Sequence, residues 1–179
     1  LAPVFSSTLA TQYRGDRSFL FDLFNGPRPG LTWECLRDGC EVEDALVGRY
    51  QAVGMAQLVA TIRATGARQP ILVPGIEWAH DLGGWLAYLP EDPVDALVAS
   101  THTYDFTPCY GHCREVLVHI SKFPPVLTDE LGETDCTDTY IDPYMRWADN
   151  HKIGYLGWAW TTGPEWSCEE GPSLIQNYD

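Results

Sequence analysis

Short apolar runs alternate along the chain with stretches whose apolar residues recur at helical spacing. After a helix ending within residues 8–17, Ser18 to Asn25 ("SFLFDLFN") reads as a first strand. Residues 26–42 carry Pro27, Pro29, Gly30 and Gly39 and read as loop. Glu43 to Thr65 places Leu46, Val47, Tyr50, Val53, Met55, Leu58, Val59 and Ile62 at helical spacing, and Gly66 stands in a helix-stop position. Gln69 to Gly75 ("QPILVPG") is a short buried strand, Asp95 to Tyr104 a third strand, Pro124 to Gly132 a fourth and Ile153 to Trp160 a fifth. Helices are predicted near Arg114 to Ser121 and over Tyr140 to Asn150, and the tail after Thr161 is irregular.

Strands alternating with helices predict parallel βαβ units. Each strand is apolar throughout, as in a sheet covered on both faces. No repeat and no low-complexity linker interrupts residues 1–179, so one domain is expected. A doubly wound nucleotide-binding fold would show a Gly-rich loop after its first strand, and this chain has none.

Charge narrows the partners. Eleven Lys and Arg face 25 Asp and Glu, a formal net charge of -14. That argues against nucleic acid and anionic membranes and suits a neutral ligand. No stretch is long and apolar enough to span a bilayer. The first residues, "LAPVFSSTLATQYRGDR", lack the basic-then-apolar design of a signal peptide, as a processed start also would. Seven Trp and nine Tyr either fill the core or offer flat rings to the C–H face of a sugar.

The six Cys fall in segments read as loops. Cys35/Cys40 and Cys109/Cys113 are close pairs, which leaves Cys136/Cys168 as the third. Three loop disulfides imply an oxidising, secreted or otherwise extracytoplasmic setting. Zinc is the rival, because "CYGHC" holds two Cys and His112, but its spacing fits no zinc pattern well. Neither a metal nor a cofactor is expected.

The ends of the predicted strands carry the chemistry. The first ends in Asn25, the second opens onto Glu77, Trp78 and His80, and the third ends in His102 and Tyr104. The fourth ends in Asp129 and Glu130, the fifth in Trp158 and Trp160. Polar and aromatic groups gathered at the carboxyl ends of parallel strands are the layout of a (β/α) barrel active site.

With these motifs in order, the chain resembles the C-terminal part of a family 5 glycoside hydrolase, the cellulase family. "FDLFNGP" is similar to the family's fourth-strand motif, which ends Asn-Glu-Pro, and "HTY" to its sixth-strand His-x-Tyr. "PPVLTDELG" is similar to the seventh-strand nucleophile motif and "GYLGWAW" to the eighth strand. "GIEWAHDLGGWLAYLPEDP" and "VASTHTYDF" read like the family's fifth-strand loop and sixth strand. The resemblance implies a partial, half-barrel-like TIM-type β/α fold of about five parallel strands, the family's fourth to eighth. It implies a retaining endo-β-1,4-glucanase-like activity on O-glycosyl bonds of a β-linked oligo- or polysaccharide. Glu130 would be the nucleophile, Asn25 would bind the sugar 2-hydroxyl, and His102 and Tyr104 would orient Glu130. One of Trp158 and Trp160 would stack under the sugar, and Glu77 with Trp78 would border the cleft.

Two departures weaken that expectation. Asn-Glu-Pro has become Asn25-Gly26-Pro27, so a hydrogen atom stands where the acid/base carboxyl belongs. Losing general acid catalysis costs about 10²- to 10⁴-fold. Glu77 is the one substitute acid in the sequence reading, against the plainer reading of an exposed loop carboxylate. The family's first three strands have no counterpart, so open sheet edges predict a homodimer or a complementing barrel half. The plain alternatives are turn chemistry for Asn25, a surface carboxylate for Glu130 and a core imidazole for His102. His80, His112, His119 and His151, with Trp33, Trp85, Trp147 and Trp166, are read as structural or solvent-exposed. A weakly active glycoside hydrolase and a non-catalytic β-glucan-binding module both fit; the preferred polysaccharide, glucan or mannan, is left open.

Overall fold

The computed structural model describes residues 1–163, 167–168 and 171–179. They divide into two compact units, Leu1–Ala99 and Ser100–Asp179. Five parallel strands form one sheet in the order β1-β4-β5-β6-β7, where β1 is Phe21–Asp22, β4 Ile71–Pro74, β5 Leu97–Tyr104, β6 Val126–Gly132 and β7 Gly154–Gly157. The strand β5 closes the first unit and opens the second. The expected alternation of parallel strands and helices is the arrangement found.

In the first unit, α1 (Ala2–Tyr13) packs on α3 (Met55–Ala64). Met55, Leu58, Val59 and Ile62 are buried, the i, i+3, i+4, i+7 set of an amphipathic helix. All four residues of β4 are buried, as a short central strand requires. The helix α3 is locked at its end by Arg63, which donates to both carboxylate oxygens of Asp92 at 2.7 and 2.9 Å. Burial pushes the Asp92 carboxyl up, but the Arg63 guanidinium and the N–H groups of Ala96 and Val94 outweigh it and hold it down at about 2.

Four expectations about local structure are corrected here. The first strand is only two paired residues long, although hydrogen bonds to Pro70 and Leu72 flank it. Phe21 and Leu23 alternate inward and Leu20 and Phe24 outward, so this is an edge strand and not a run buried on both faces. Residues 26–42 are not all loop, because α2 (Trp33–Asp38) forms there with Thr32 as its N-cap. Glu43 to Thr65 is not one helix. Its first part completes a hairpin of β2 (Gly39–Asp44) and β3 (Gly48–Val53), and the helix begins only at Met55.

The hairpin wins for local reasons. Asp44 Oδ1 accepts from the N–H groups of Leu46 and Val47, and Gly48 takes φ 76°, so a tight turn closes at 45–47. Val42 faces Tyr50 across the ladder, a β-branched and aromatic pair suited to strands. Leu46 and Val47, read as part of a helical stripe, sit exposed at the tip. Gly54 separates hairpin from helix: a Cβ there would lie 2.4 Å from the backbone of Arg37, Asp38 and Gly39, so no other residue fits.

In the second unit, α5 (His112–Ile120) and α6 (Ile141–His151) accompany β6 and β7. Buried Thr128 and Tyr144 share a hydrogen bond of 2.6 Å, and burial pushes the Tyr144 hydroxyl up to about 12. Arg114 lies 4.8 Å from the Trp147 ring centre and donates to the Cys109 carbonyl. Glu133 caps α6: the N–H groups of Tyr140 and Ile141 donate to it, as do the hydroxyls of Thr137 and Thr139. The strand β7 is exposed at Gly154, Leu156 and Gly157, so it too is an edge and not covered on both faces.

Cys35 bonds Cys40, Cys109 bonds Cys113 and Cys136 bonds Cys168, the pairs expected from spacing. Their setting differs from the expectation of loops: Cys35 lies in α2, Cys40 in β2 and Cys113 in α5. Among the described residues, no helix is long and apolar enough to cross a membrane.

Candidate active site

The second unit brings its strand-end residues together. The register of β6 on β7 pairs Thr128 with Tyr155 and Leu131 with Gly157, three steps on one strand against two on the other. The extra residue makes a bulge at Asp129-Glu130, a device that re-aims side chains near active sites. Strict alternation would have sent Asp129 away from Glu130. Instead both carboxylates reach His102: its Nδ1 is 3.3 Å from Glu130 Oε2 and its Nε2 is 3.7 Å from Asp129 Oδ2. Their side chains are 14% and 10% exposed, and Asp129 Oδ1 is buried with no hydrogen-bond partner among the described residues.

Tyr104, at the end of β5, donates its hydroxyl to Glu130 Oε2. Burial, followed by the bond to Glu130 and the charges of Glu130 and Asp129, pushes the Tyr104 hydroxyl far up, so it stays a donor at any working pH. The ring is held from behind. A Cβ on Gly132 would lie 2.7 Å from the Tyr104 ring and 2.8 Å from the Trp158 carbonyl, so only glycine lets these two approach. Trp158 is half-buried, follows β7 and donates its backbone N–H to Leu131 at 2.8 Å. Trp160 is 75% exposed. Thr134 donates to Asp105 through its N–H and its hydroxyl, tying the segment after β6 to the end of β5.

The first unit gathers the other predicted residues. Asn25 is exposed, whereas Gly26 and Pro27 are buried. Gly26 takes φ 50°. Trp78 donates its N–H to the Pro27 carbonyl at 2.6 Å, and Glu77 Oε1 accepts the Gly30 N–H at 2.9 Å. The short turn α4 (Ile76–Ala79) makes this possible with Glu77, Trp78 and Ala79 all left-handed, at φ 55°, 59° and 61°. Each such residue costs about 1–2 kcal/mol, strain of the kind concentrated at functional sites.

The remaining aromatic and imidazole groups are structural. Trp85 is buried and donates to the Val73 carbonyl; Trp33 stacks on Tyr88. His151 bonds the Trp147 carbonyl, His80 is half-buried, and His112 and His119 are exposed. Trp166 lies outside the described residues. No group of three or more His, Cys, Asp or Glu converges as metal ligands among the described residues. Asp129 and Gly132 are the site residues that sequence reasoning missed. The bulge that turns Asp129 inward leaves no mark in a period-two pattern, while the Gly of "DELG" was a visible signal.

A carboxylate thus stands on a strand end of a parallel β/α sheet, with a tyrosine and a histidine from the neighbouring strand against it. The model of the family "Cellulase (glycosyl hydrolase family 5)" matches residues 3–163, and the chain belongs to that family. No curated protein matches it. Among solved structures it is similar to XacCel5A in complex with cellopentaose, at 18% identity and a TM-score of 0.66, covering 98% of this chain and 59% of that one. It is similar to the catalytic domain of Thermobifida fusca endoglucanase Cel5A (18%, TM-score 0.66, 90% and 51%). A Streptomyces sp. SirexAA-E mannanase catalytic domain is also similar (18%, TM-score 0.69, 99% and 54%). The chain thus spans 51–59% of the length of these structures.

Proposed function

We propose that the protein is a retaining glycoside hydrolase of endo-β-1,4-glucanase type, with Glu130 as nucleophile and with slow turnover because position 26 is glycine. The observation that carries this reading is the carboxylate of Glu130, half-buried at the end of β6 with Tyr104 donating to it and His102 beside it. Hydrogen bonds to one oxygen fix the carboxylate's rotamer and leave the other free to attack the anomeric carbon. Asn25 is the ligand for the sugar 2-hydroxyl, and the indole of Trp158 or Trp160 is the stacking surface. Endoglucanase and mannanase names among the similar structures agree with a β-linked hexose polymer; we favour a β-1,4-glucan.

Retaining hydrolysis pairs the nucleophile with an acid/base carboxyl about 5 Å away. With Gly26 in that place, Glu130 still displaces a leaving group that departs as a stable anion. The glycosyl ester on Glu130 then waits for water without a base to deprotonate it. Aryl β-cellobiosides with acidic phenols therefore turn over faster than cello-oligosaccharides. Azide, which needs no base, accelerates release and yields a β-glycosyl azide. Glu130→Gln removes all such turnover while leaving oligosaccharide binding within about threefold. Aryl-cellobioside hydrolysis that survives Glu130→Gln overturns the assignment.

A second reading, a non-catalytic β-glucan-binding module, is favoured by Gly26 itself. It predicts binding of cello-oligosaccharides with no azide-accelerated turnover. Three disulfides support a setting outside the cytoplasm. The two-residue edge strand β1, flanked by exposed Leu20 and Phe24, supports assembly with a second copy or a complementing barrel half. Sedimentation of a stable monomer at micromolar concentration counts against assembly.

A further inference from the structure

Among the described residues, Asp129 Oδ1 and Ser100 Oγ are the buried side-chain polar atoms without a hydrogen-bond partner, and only the first belongs to an ionisable group. The bulge of β6 turns this carboxylate toward His102, whose Nε2 lies 3.7 Å from Asp129 Oδ2. The other ring nitrogen, Nδ1, lies 3.3 Å from Glu130 Oε2. The side chains of Asp129 and Glu130 are 10% and 14% exposed, and among the described residues no Lys or Arg pairs with either. Burying an anion without a cation or full hydrogen bonding is costly, so Asp129 needs a physical reason to face inward.

We infer that Asp129 is a positioning residue: it holds His102 as an imidazolium, and that cation keeps Glu130 ionised and in place for attack. The inference rests on the glycosidase reading above, because it gives Asp129 a part in the work of Glu130. A neutral imidazole has one N–H and one lone pair, so with a carboxylate at each ring nitrogen the lone pair would face an anionic oxygen. The imidazolium offers an N–H at both. The two flanking anions favour the charged ring, against the burial of His102, which favours the neutral one. The other titratable group in this cluster is Tyr104, whose hydroxyl is pushed far up by burial first and then by Glu130, so it stays neutral. Within Ser100–Asp179 the cluster thus holds two anions, a neutral donor and one ring able to take the balancing charge.

Asp129 matters because the charge on Glu130 does not last. Glu130 Oε1 bonds the anomeric carbon as the bond to the leaving oxygen breaks, and that oxygen departs with the bonding pair. Glu130 is then a neutral ester, and Asp129 is the anion that remains beside the ring. His102 keeps both its protons and stays against Oε2, with the Tyr104 hydroxyl. When water attacks the anomeric carbon, the bond to Oε1 breaks, its electron pair returns to the carboxylate, and a proton of the water passes to solvent. The negative charge reappears on a group already faced by a cation. In the proposed function no base deprotonates that water, so the departure of Glu130 as an anion carries more of this step.

The test reads the ring directly by nuclear magnetic resonance. The full chain labelled with ¹⁵N-histidine carries five imidazoles, and His102→Gln assigns the signal of interest. We expect wild-type His102 to show both N–H groups at about pH 8, where an ordinary imidazole is neutral. Asp129→Asn keeps the shape and removes the charge, and its His102 should bind the proton at least about tenfold more weakly. On 2,4-dinitrophenyl β-cellobioside, Asp129→Asn should lower kcat about five- to tenfold and KM in proportion, because the glycosyl ester accumulates. Lost packing alone would not lower KM with kcat. A neutral ring at about pH 7 in the wild type, as when the proton sits on Asp129 instead, overturns the inference. So does a ring that binds its proton equally well in Asp129→Asn, or a kcat unchanged by that substitution. The wild-type spectrum needs neither a variant that folds nor turnover. The glycosidase reading fails by a separate result, turnover that survives Glu130→Gln, so the two failures are distinguishable.

Discussion

The two units finish their strands in opposite ways. In Ser100–Asp179 the strand ends are crowded and polar: Tyr104, His102, Asp129 and Glu130 meet over a bulge, and Gly132 leaves just enough room for the tyrosine ring. In Leu1–Ala99 the strand ends are more open: a glycine follows Asn25, the next turn is left-handed at three successive residues, and exposed rings line a pocket beside them. In the function proposed above, Glu130 in the one unit forms the covalent sugar ester, and Gly26 in the other stands where the family's proton donor belongs. The retaining mechanism divides into these same two tasks, so the proposal can be tested one task at a time.

The largest effect comes from restoring the missing half. Gly26→Glu should raise hydrolysis of cello-oligosaccharides by about 10²- to 10⁴-fold and activity on activated aryl glycosides far less. Because Gly26 sits at φ 50°, the same change should cost about 1–2 kcal/mol of stability. A gain equal on both substrate types would mean that position 26 does not act as a proton donor, and the contrast between units would collapse.

Next in size is the ion pair that anchors the first unit. Arg63 and Asp92 are 5% and 3% exposed, and removing one partner strands the other charge. Arg63→Leu should cost about 3–5 kcal/mol in urea unfolding. Asp92 also sets an acid limit. Its folded pKa, about 2, lies below its unfolded value near 3.8, so its contribution is fully present above pH 4 and disappears as pH falls toward 2. The shift is worth about 2.5 kcal/mol. The Asp92→Asn variant should lose the part of the acid slope that this carboxylate supplies; an unchanged slope refutes the linkage.

The disulfides sharpen the comparison further. Cys136–Cys168 closes a separation of 32 residues and Cys35–Cys40 only 5. Chain entropy then assigns about 3.5 kcal/mol to the first and about 2 kcal/mol to the second. Paired Cys→Ser variants should unfold in that order. The reverse order would show that the short clip acts by shaping the wall of the pocket and not by constraining the unfolded chain.

Much of this was legible before any coordinates. Parallel strands betray themselves by apolar runs, and the strand-end residues Asn25, Glu77, His102, Tyr104, Glu130, Trp158 and Trp160 stand at visible breaks in those runs. What hid was set by tertiary context. The stretch from Leu46 to Val53 has apolar residues at helical spacing, yet Asp44 and Gly48 close a hairpin there because turn bonding outcompetes a weak helical stripe. Period-two alternation points Asp129 away from Glu130 because it assumes an unbroken ladder, whereas a bulge is decided by the partner strand. The pocket beside Asn25 was invisible for the same reason, since it exists only once the hairpin folds back over the strand end.

The smallest predicted effect decides between two tryptophans. Sequence position left either Trp158 or Trp160 as the ring beneath the sugar. Trp160 is 75% exposed, so its indole has solvent to lose and sugar surface to gain. Trp158 is half-buried and its backbone is fixed to Leu131, next to Gly132 and Tyr104. Truncating an exposed ring removes stacking alone: Trp160→Ala should weaken cello-oligosaccharide binding by about 0.5–1.5 kcal/mol, roughly two- to twelvefold, and change stability by less than about 0.5 kcal/mol. Truncating the half-buried Trp158 removes packing as well and should lower stability together with binding. Calorimetric binding and urea unfolding on the two variants separate these outcomes. If Trp160→Ala binds like the wild type, the exposed ring is not a sugar platform, and the stacking role falls to Trp158 inside the crowded unit.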